Sequence, residues 1–252
     1  MKLKPTERFT SRVEAYVKYR PSYPQALIDY LKSEAGLTSR DTIADIGSGT
    51  GLLTKLFLDN ANKVYSVEPN KSMREAAEKF LKNYQNFISI DGTAETTNLE
   101  SGSVDFVIAG QAFHWFEPVA TKQEFKRIAR KSGKAVLIWN DRDTEHDPFQ
   151  IEYEAVLMKL SEYAEVTHKN IDEAKISSFV SPLRFKTAAF AHFQILDFES
   201  LVGRLLSSSY CPDEKSEQFF ETKNELQRIF DKHQTNGLIH FNYKTILYMA
   251  EL

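Results

Sequence analysis

The chain has 252 residues, 42% hydrophobic and 27% charged, and its 32 Lys+Arg against 35 Asp+Glu leave a net charge of −3. That balance fits one globular domain with a sizeable core, excludes a disordered or collagen-like chain, and gives no global reason to expect a nucleic-acid partner. Cys211 is the only cysteine, so an intrachain disulfide and a cysteine zinc cluster are both excluded.

The first residues, Met1 to Glu7, lack the apolar core of a signal peptide, and no apolar run is long enough to cross a bilayer. A cytoplasmic chain without a membrane partner is the expectation. In chain order, Ser11 to Tyr19 predicts a short helix. Pro24 to Ser33 predicts a second, with Pro24 in its first turn. Thr42 to Ile46 reads as a strand and Thr50 to Asn60 as a helix. Lys63 to Val67 is a second strand, rich in β-branched residues, and Asn70 or Ser72 can cap a helix running to Leu81. Asn86 to Ile90 and Ser103 to Ala109 are two more strands. Pro118 to Lys131 reads as a helix, which Gly133 separates from a fifth strand, Lys134 to Trp139.

Strands alternating with helices at this spacing predict βαβ units and a parallel sheet covered on both faces. The pattern breaks after Asn140. Pro148 to Tyr163 and Ile171 to Phe179 read as helices of an insert or cap. Ala188 to Leu196 is a late strand, Phe198 to Ser207 and Glu214 to Lys232 are helices, and Leu238 to Leu252 is a long final strand. The two late strands suggest an antiparallel addition to the sheet edge. The resulting division is an N-terminal helical cover over 1–38, a core over 39–140, a helical insert over 141–185, and C-terminal strands and helices over 186–252, all one domain.

Three features fall at strand C-termini, where open α/β sheets bind ligands. They are Gly47-x-Gly49-x-Gly51, Glu68, and Asp91-Gly92-Thr93-Ala94-Glu95. A carboxylate ending the second strand can accept hydrogen bonds from both hydroxyls of a ribose. The glycine spacing is G-x-G-x-G, not the G-x-G-x-x-G of a dinucleotide fingerprint. Asp45 beside the turn would repel a pyrophosphate and attract a cation, which argues against a nicotinamide oxidoreductase. Asp45 can equally form the turn by bonding the N–H groups of the glycine loop.

These residues resemble motif I of the class I S-adenosylmethionine-dependent methyltransferases. Val64 to Asn70 resembles the ribose-binding motif, Gly92 to Glu95 the adenine-side loop and Ser103 to Ile108 the fourth strand. The resemblance covers about residues 40 to 140. It implies a Rossmann-like, mostly parallel seven-stranded sheet with an antiparallel C-terminal strand, helices on both faces and a helical cap insert. It implies S-adenosylmethionine as cofactor. Asp45, Gly47, Ser48, Gly49 and Gly51 would form the turn and methionine end, Glu68 and Pro69 the ribose site, Ser72 and Met73 the adenine flank. Thr93, Ala94 and Glu95 would contact the adenine, and Gln111 the methionine moiety. For Met73, ordinary packing on a helix face is an equal reading.

Gly110 to Phe116 follows the fourth strand with three aromatics, an amide and His114. Trp115 and its neighbours can exclude water and contact a sulfonium, and His114 is the candidate catalytic residue, able to take a proton from a substrate. The other reading is that these are core residues. Phe9, Arg12, Val13, Tyr16, the run Tyr19 to Pro24, and the run Leu201 to Tyr210 followed by Pro212 resemble a small-molecule group that includes trans-aconitate-type methyltransferases. That resemblance implies that Tyr19, Arg20 and Tyr23 reach the cofactor's carboxylate or the substrate, with Tyr210 beside them. Arg142 and Arg204 are candidates for an anionic substrate group, because guanidinium matches carboxylate geometry.

The expected partner is a small-molecule methyl acceptor, modified on a carboxylate or hydroxyl by a monomer or weak homodimer. Two other possibilities are a non-catalytic S-adenosylmethionine-binding module and a methyltransferase for protein- or carrier-bound acceptors. No metal is expected: Asp141, Asp143, Glu145, His146 and Asp147 read as a solvated loop.

Overall fold

The computed structural model describes residues 13–160, 162, 163, 176, 179 and 185–252. Phe9, Arg12 and all but two residues of the expected helix over 171–179 lie outside them. Seven strands form one sheet: β1 (Thr42–Ile46), β2 (Lys63–Val67), β3 (Phe87–Ile90), β4 (Val104–Gly110), β5 (Ala129–Arg142), β6 (Phe185–Leu196) and β7 (Ile239–Glu251). Their order across the sheet is β3-β2-β1-β4-β5-β7-β6. β7 runs antiparallel to both of its neighbours, and the other six strands are parallel to one another. The order reverses between β1 and β4, which opens a crevice at their C-terminal ends.

The described helices are α1 (Val13–Tyr19), α2 (Ala26–Ala35), α3 (Leu52–Asp59), α4 (Lys71–Phe80), α5 (Pro118–Ile128), α6 (Pro148–Leu157), α7 (Phe198–Leu206) and α8 (Glu217–His233), with a 3-10 turn over Phe113–Trp115. Asn70, Asp147, Asp197 and Ser216 start α4, α6, α7 and α8, each side chain accepting a backbone N–H from three residues on. Such caps contribute about 1 kcal/mol each. No helix among the described residues is long and apolar enough to cross a membrane.

Strand alternation builds two cores on opposite faces of the sheet. Ala44, Ile46, Val107, Ala109, Leu137 and Trp139 pack with Phe125 and Ile128 of α5 on one face. Ile43, Phe106, Ile108, Val136 and Ile138 pack with Leu27, Leu31, Leu53 and Phe57 of α2 and α3 on the other. A third core joins α6, α7 and α8 to Ile239, Phe241 and Tyr243 of β7. The insert and the C-terminal segments are thus one packing unit. β7 carries both halves: its first residues close the cap, and Leu247 and Met249 join the sheet core.

The helix expected through Lys131 ends at Ile128, and β5 starts at once at Ala129. Ser132 adopts φ +63° and Gly133 follows it, which opens a bulge: Val104 pairs with Ala129 but Phe106 with Lys134. This extra stretch makes β5 fourteen residues long. It runs through Asn140 to Arg142, beyond the edge assigned to the core.

The N-terminal cover is docked by close packing of α1 on α7. The Tyr19 ring lies so close to Gly203 that a β-carbon there would come within 2.3 to 2.5 Å of three ring atoms. Gly203→Ala should therefore lower stability by about 1–3 kcal/mol through overpacking. Urea denaturation of the variant checks this, with a lower midpoint at unchanged slope expected.

Candidate functional site

The glycine turn after β1 is fastened to β2. The Gly47 and Ser48 amides donate to the Val67 carbonyl at 2.9 and 3.2 Å, and Ser66 Oγ donates to Ser48 Oγ at 2.7 Å. Gly47 has φ +67°, and a β-carbon there would meet Ala112 Cβ at 2.7 Å, so only glycine keeps this turn tight against the 3-10 turn after β4.

Two adjoining cavities open on this turn. The larger, of about 360 Å³, is lined by Gly47, Gly49, Glu68, Pro69, Asn70, Met73, Thr93, Ala94, Glu95, Gly110, Gln111, Ala112, Trp115, Phe116 and Tyr16. The smaller, of about 50 Å³, shares Tyr16, Gly47, Gly49, Gly110 and Gln111 with it and continues to Asp45, Ser48, Thr50, Tyr23, Asn140, Arg20 and Arg204. A surface groove of about 670 Å³ between Asp143–Phe149 and His233–Asn242 contains none of the expected site residues. Among the described residues, no group of three or more His, Cys, Asp or Glu could hold a metal.

Glu68 is 8% exposed and holds both banks of the larger cavity. Its Oε2 accepts the Gly49 amide at 2.9 Å and its Oε1 the Asn70 amide at 2.8 Å. Burial raises its pKa, and these two bonds oppose the rise. Each oxygen keeps acceptor capacity for a further donor. Asp45 is fully buried. Its Oδ2 accepts from Thr54 Oγ1 at 2.7 Å, and its Oδ1 makes no hydrogen bond. It bonds a side chain of α3 and not the glycine-loop amides. Burial lifts its pKa to about 7 against the Thr54 hydrogen bond, and the Glu68 charge adds to the rise.

Gln111 takes φ +58°, unusual for a residue with a side chain. Its Nε2 donates to the Asn140 carbonyl at 3.2 Å. Asn140 in turn donates to the Ser22 carbonyl and accepts from Thr245 Oγ1. One buried amide thus ties β4, β5, β7 and the N-terminal cover together at the mouth. Glu95 accepts the Glu117 amide at 2.9 Å, which fixes the adenine-side loop to the cap of α5.

Six expected site residues line neither cavity: Gly51, Ser72, His114, Tyr19, Arg142 and Tyr210. Gly51 packs on Leu81 and Ala77 and starts α3 at φ +85°; its requirement is local geometry. Ser72 sits in the first turn of α4, past the cap, while Met73 beside it lines the cavity. His114 sits beside the Trp115 ring within the 3-10 turn, the two rings 4.7 Å apart and tilted by 46°. Tyr19 turns to α7, donating to Glu199.

Arg142, Arg204, Arg20 and Tyr210 come together deeper under the cap. Arg142 pairs with Glu154 at 2.5 Å, bonds the Tyr163 hydroxyl and lies over the Tyr153 ring at 5.3 Å. Arg204 is 6% exposed, donates to Tyr243 Oη at 3.2 Å and reaches Ser207 and Ser208. Arg20 donates to the Ser207 carbonyl at 2.8 Å and to Ser208 Oγ. Burial and the facing Arg204 charge lower the Arg20 pKa. Among the described residues, neither Arg20 nor Arg204 has a carboxylate partner. Asn140, Glu154, Tyr153, Tyr163 and Tyr243 carry no signal in the sequence, because their partners are distant in the chain.

Residues 44–137 match a family described as a methyltransferase domain. Over its whole length the chain resembles an uncharacterized methyltransferase of Mycobacterium tuberculosis, 28% identical over 97% of this chain and 95% of that protein. It is 26% identical to an uncharacterized methyltransferase of Schizosaccharomyces pombe over 96% of each. In fold it resembles a SAM-dependent methyltransferase from Aquifex aeolicus, with a TM-score of 0.56 at 15% identity over 96% of this chain and 98% of that one.

Proposed function

Since this chain is a class I S-adenosylmethionine-dependent methyltransferase, we propose that the two joined cavities hold S-adenosylmethionine and that the acceptor is a small molecule methylated on a carboxylate or hydroxyl. The observation that carries the reading is the arrangement along the crevice: a carboxylate at the tip of β2, a second at β1 with an unpaired buried oxygen, and then the buried Arg204 and half-buried Arg20, which have no carboxylate partner among the described residues.

The residues fit that cofactor. Glu68 would take the ribose hydroxyls on its remaining lone pairs. Thr93, Ala94, Glu95, Pro69 and Met73 would enclose the adenine. Gly47, Gly49 and Gln111 would bed the methionine portion, and the Asp45 carboxylate would face its positive charge. When bound, the cofactor supplies a methyl group already activated on a sulfonium. Positioning is then the main task of the chain, worth ~7–11 kcal/mol for well-aligned reactants. Trp115 and Phe116 form the water-excluding wall. A carboxylate acceptor is ionised at neutral pH and needs no base, which suits a cleft lined by Arg20 and Arg204 and not by His114.

Asp45 gives this reading a pH signature. Its carboxyl sits at about 7 when folded against an ordinary 3.8, so the folded protein holds the extra proton between those values. Stability without ligand should therefore fall as pH rises through that window. A cationic ligand favours the ionised form. Its affinity should rise about tenfold from pH 6 to pH 8 and level off above, with proton release on binding at the lower pH. Calorimetric titration of S-adenosylmethionine at several pH values checks this, and Asp45→Asn should flatten the profile.

The acceptor class is tested by incubating the enzyme and S-adenosylmethionine with panels of small carboxylic acids, phenols and amines. Methyl esters or ethers in the product mass spectra are expected; N-methyl products alone would contradict the reading.

A further inference from the structure

The adenosine end of the proposed site lies between two strand tips, and one side chain that lines neither cavity joins them. Val67 opposite Ile90 is the last registered pair of β2 and β3, and the Glu68 amide donating to the Ile90 carbonyl at 3.1 Å is the last rung between them. Beyond it the two chains part. Glu68 turns into the cap of α4, and Asp91 leads into the loop of Thr93 to Glu95. Among the described residues, no backbone amide donates to the Glu68 carbonyl. Arg74 of α4 takes it instead: its Nη1 donates to that carbonyl at 2.8 Å, while its Nη2 donates to Asp91 Oδ2 at 3.0 Å.

Both ends of this bridge are fixed. The Arg74 amide donates to the Asn70 carbonyl at 3.0 Å, and the Asn70 amide donates to Glu68 Oε1 at 2.8 Å. On the far side the Asp91 carbonyl accepts Asn98 Nδ2 at 2.7 Å, and the Thr93 amide donates to the Thr96 carbonyl at 3.0 Å, which closes the loop. A guanidinium is a planar fork with donors at fixed angles, so one residue can hold two acceptors at a set separation. The ion pair itself adds little to stability, since the Asp91 side chain is 71% exposed. Burial raises the Glu68 pKa, and the Arg74 charge is among the groups that oppose the rise.

We propose that Arg74 is a positioning residue for the cofactor's adenosine: by spanning Glu68 and Asp91 it fixes the ribose-binding carboxylate relative to the adenine loop, so that the site reads the ribose 2′-hydroxyl. This rests on the cofactor placement proposed above. Arg74 lines neither cavity and acts through the two residues it holds. A binding group is only as precise as the contacts that support it. Without the bridge, Glu68 and the adenine loop shift separately, and contacts to the adenine no longer deliver the hydroxyl to the carboxylate at bonding distance. Ligands with and without that hydroxyl are then bound nearly alike.

The experiment is calorimetric titration of S-adenosylhomocysteine and its 2′-deoxyadenosine counterpart into wild type, Arg74→Met, Arg74→Lys and Asp91→Ala. A hydroxyl bonded to a carboxylate should make wild type prefer the first ligand by about 10-fold or more. Arg74→Met should reduce that preference to about threefold or less, as the bond to the charged group is lost. Arg74→Lys, with a single ammonium in place of a fork, should fall between the two. A merely structural loss would weaken both ligands equally and leave their ratio untouched. An unchanged ratio in Arg74→Met therefore overturns the proposal, whatever happens to the affinities themselves. If that variant does not fold, Asp91→Ala decides, because it removes one arm of the bridge at an exposed residue: a narrowed ratio supports the proposal and an unchanged one overturns it. Failure of the cofactor site reads differently. Wild type that binds neither ligand, or both alike, removes the ribose site from Glu68, whereas a preference present in wild type and equal in Arg74→Met removes only the role of Arg74.

Discussion

Glu68→Ala should weaken S-adenosylmethionine binding by about 10- to 100-fold. The carboxylate does two jobs that alanine cannot. It would receive the ribose hydroxyls, and a hydrogen bond to a charged group contributes ~1.5–3 kcal/mol. It also accepts the amides of Gly49 and Asn70, so its loss frees the glycine turn and the first residues of α4 as well. Glu68→Gln keeps one acceptor oxygen and should lose less. Because Glu68 is almost wholly buried, removing its charge should not lower stability by the full value of those bonds; burial already disfavours the ion. Calorimetric titration of the two variants reads the effect. Unchanged affinity in Glu68→Ala would remove the ribose site from this strand tip.

Arg204→Met should separate the acceptor from the cofactor. Truncating one partner of a buried charge pair costs ~2–5 kcal/mol in binding, so kcat/KM for the acceptor should fall about 30-fold or more, mainly through KM. Affinity for S-adenosylmethionine should stay within about twofold. Stability should change little or rise, since a buried guanidinium with no carboxylate partner among the described residues is replaced by an apolar chain of similar length. Steady-state kinetics, cofactor titration and thermal unfolding together check the three expectations. Loss of cofactor affinity with an unchanged acceptor KM would instead assign Arg204 to the methionine carboxylate.

The two variants probe parts of the site that differ in how visible they are in the sequence. The turn from Asp45 to Gly51 and the strand end at Glu68 are local: a few consecutive residues specify both the backbone shape and the chemistry. Periodicity does not, however, reveal which way each residue faces. Gly51 and Ser72 belong to the same short motifs as Gly49 and Met73, yet Gly51 serves helix packing and Ser72 sits past the cap. His114 is next to Trp115 in sequence, but a single 3-10 turn directs the two differently. The sequence predicts a helix through Lys131, but β5 already starts at Ala129, and the positive φ of Ser132 with the glycine after it redirects the chain.

The arginine cluster was only partly visible. Arg142 and Arg204 stood out as single residues, but their surroundings are assembled from α6, α7, β5 and β7, with Arg142 and Arg204 62 positions apart by number (204 − 142). Tyr153, Tyr163 and Tyr243 carry no motif, and only packing brings them around Arg142 and Arg204. β7 supplies the reason: one long strand reaches from the sheet core into the cap and brings Tyr243 under Arg204.

Hydrogen exchange of the intact protein with and without S-adenosylhomocysteine tests the central claim most directly, because it locates the ligand without knowledge of the acceptor. Protection is expected in three separate stretches: the turn at Gly47–Gly51, the start of α4 at Glu68–Met73, and the loop at Thr93–Glu95. Protection confined to the groove near His146 and His240, or no protection at saturating ligand, would contradict the account.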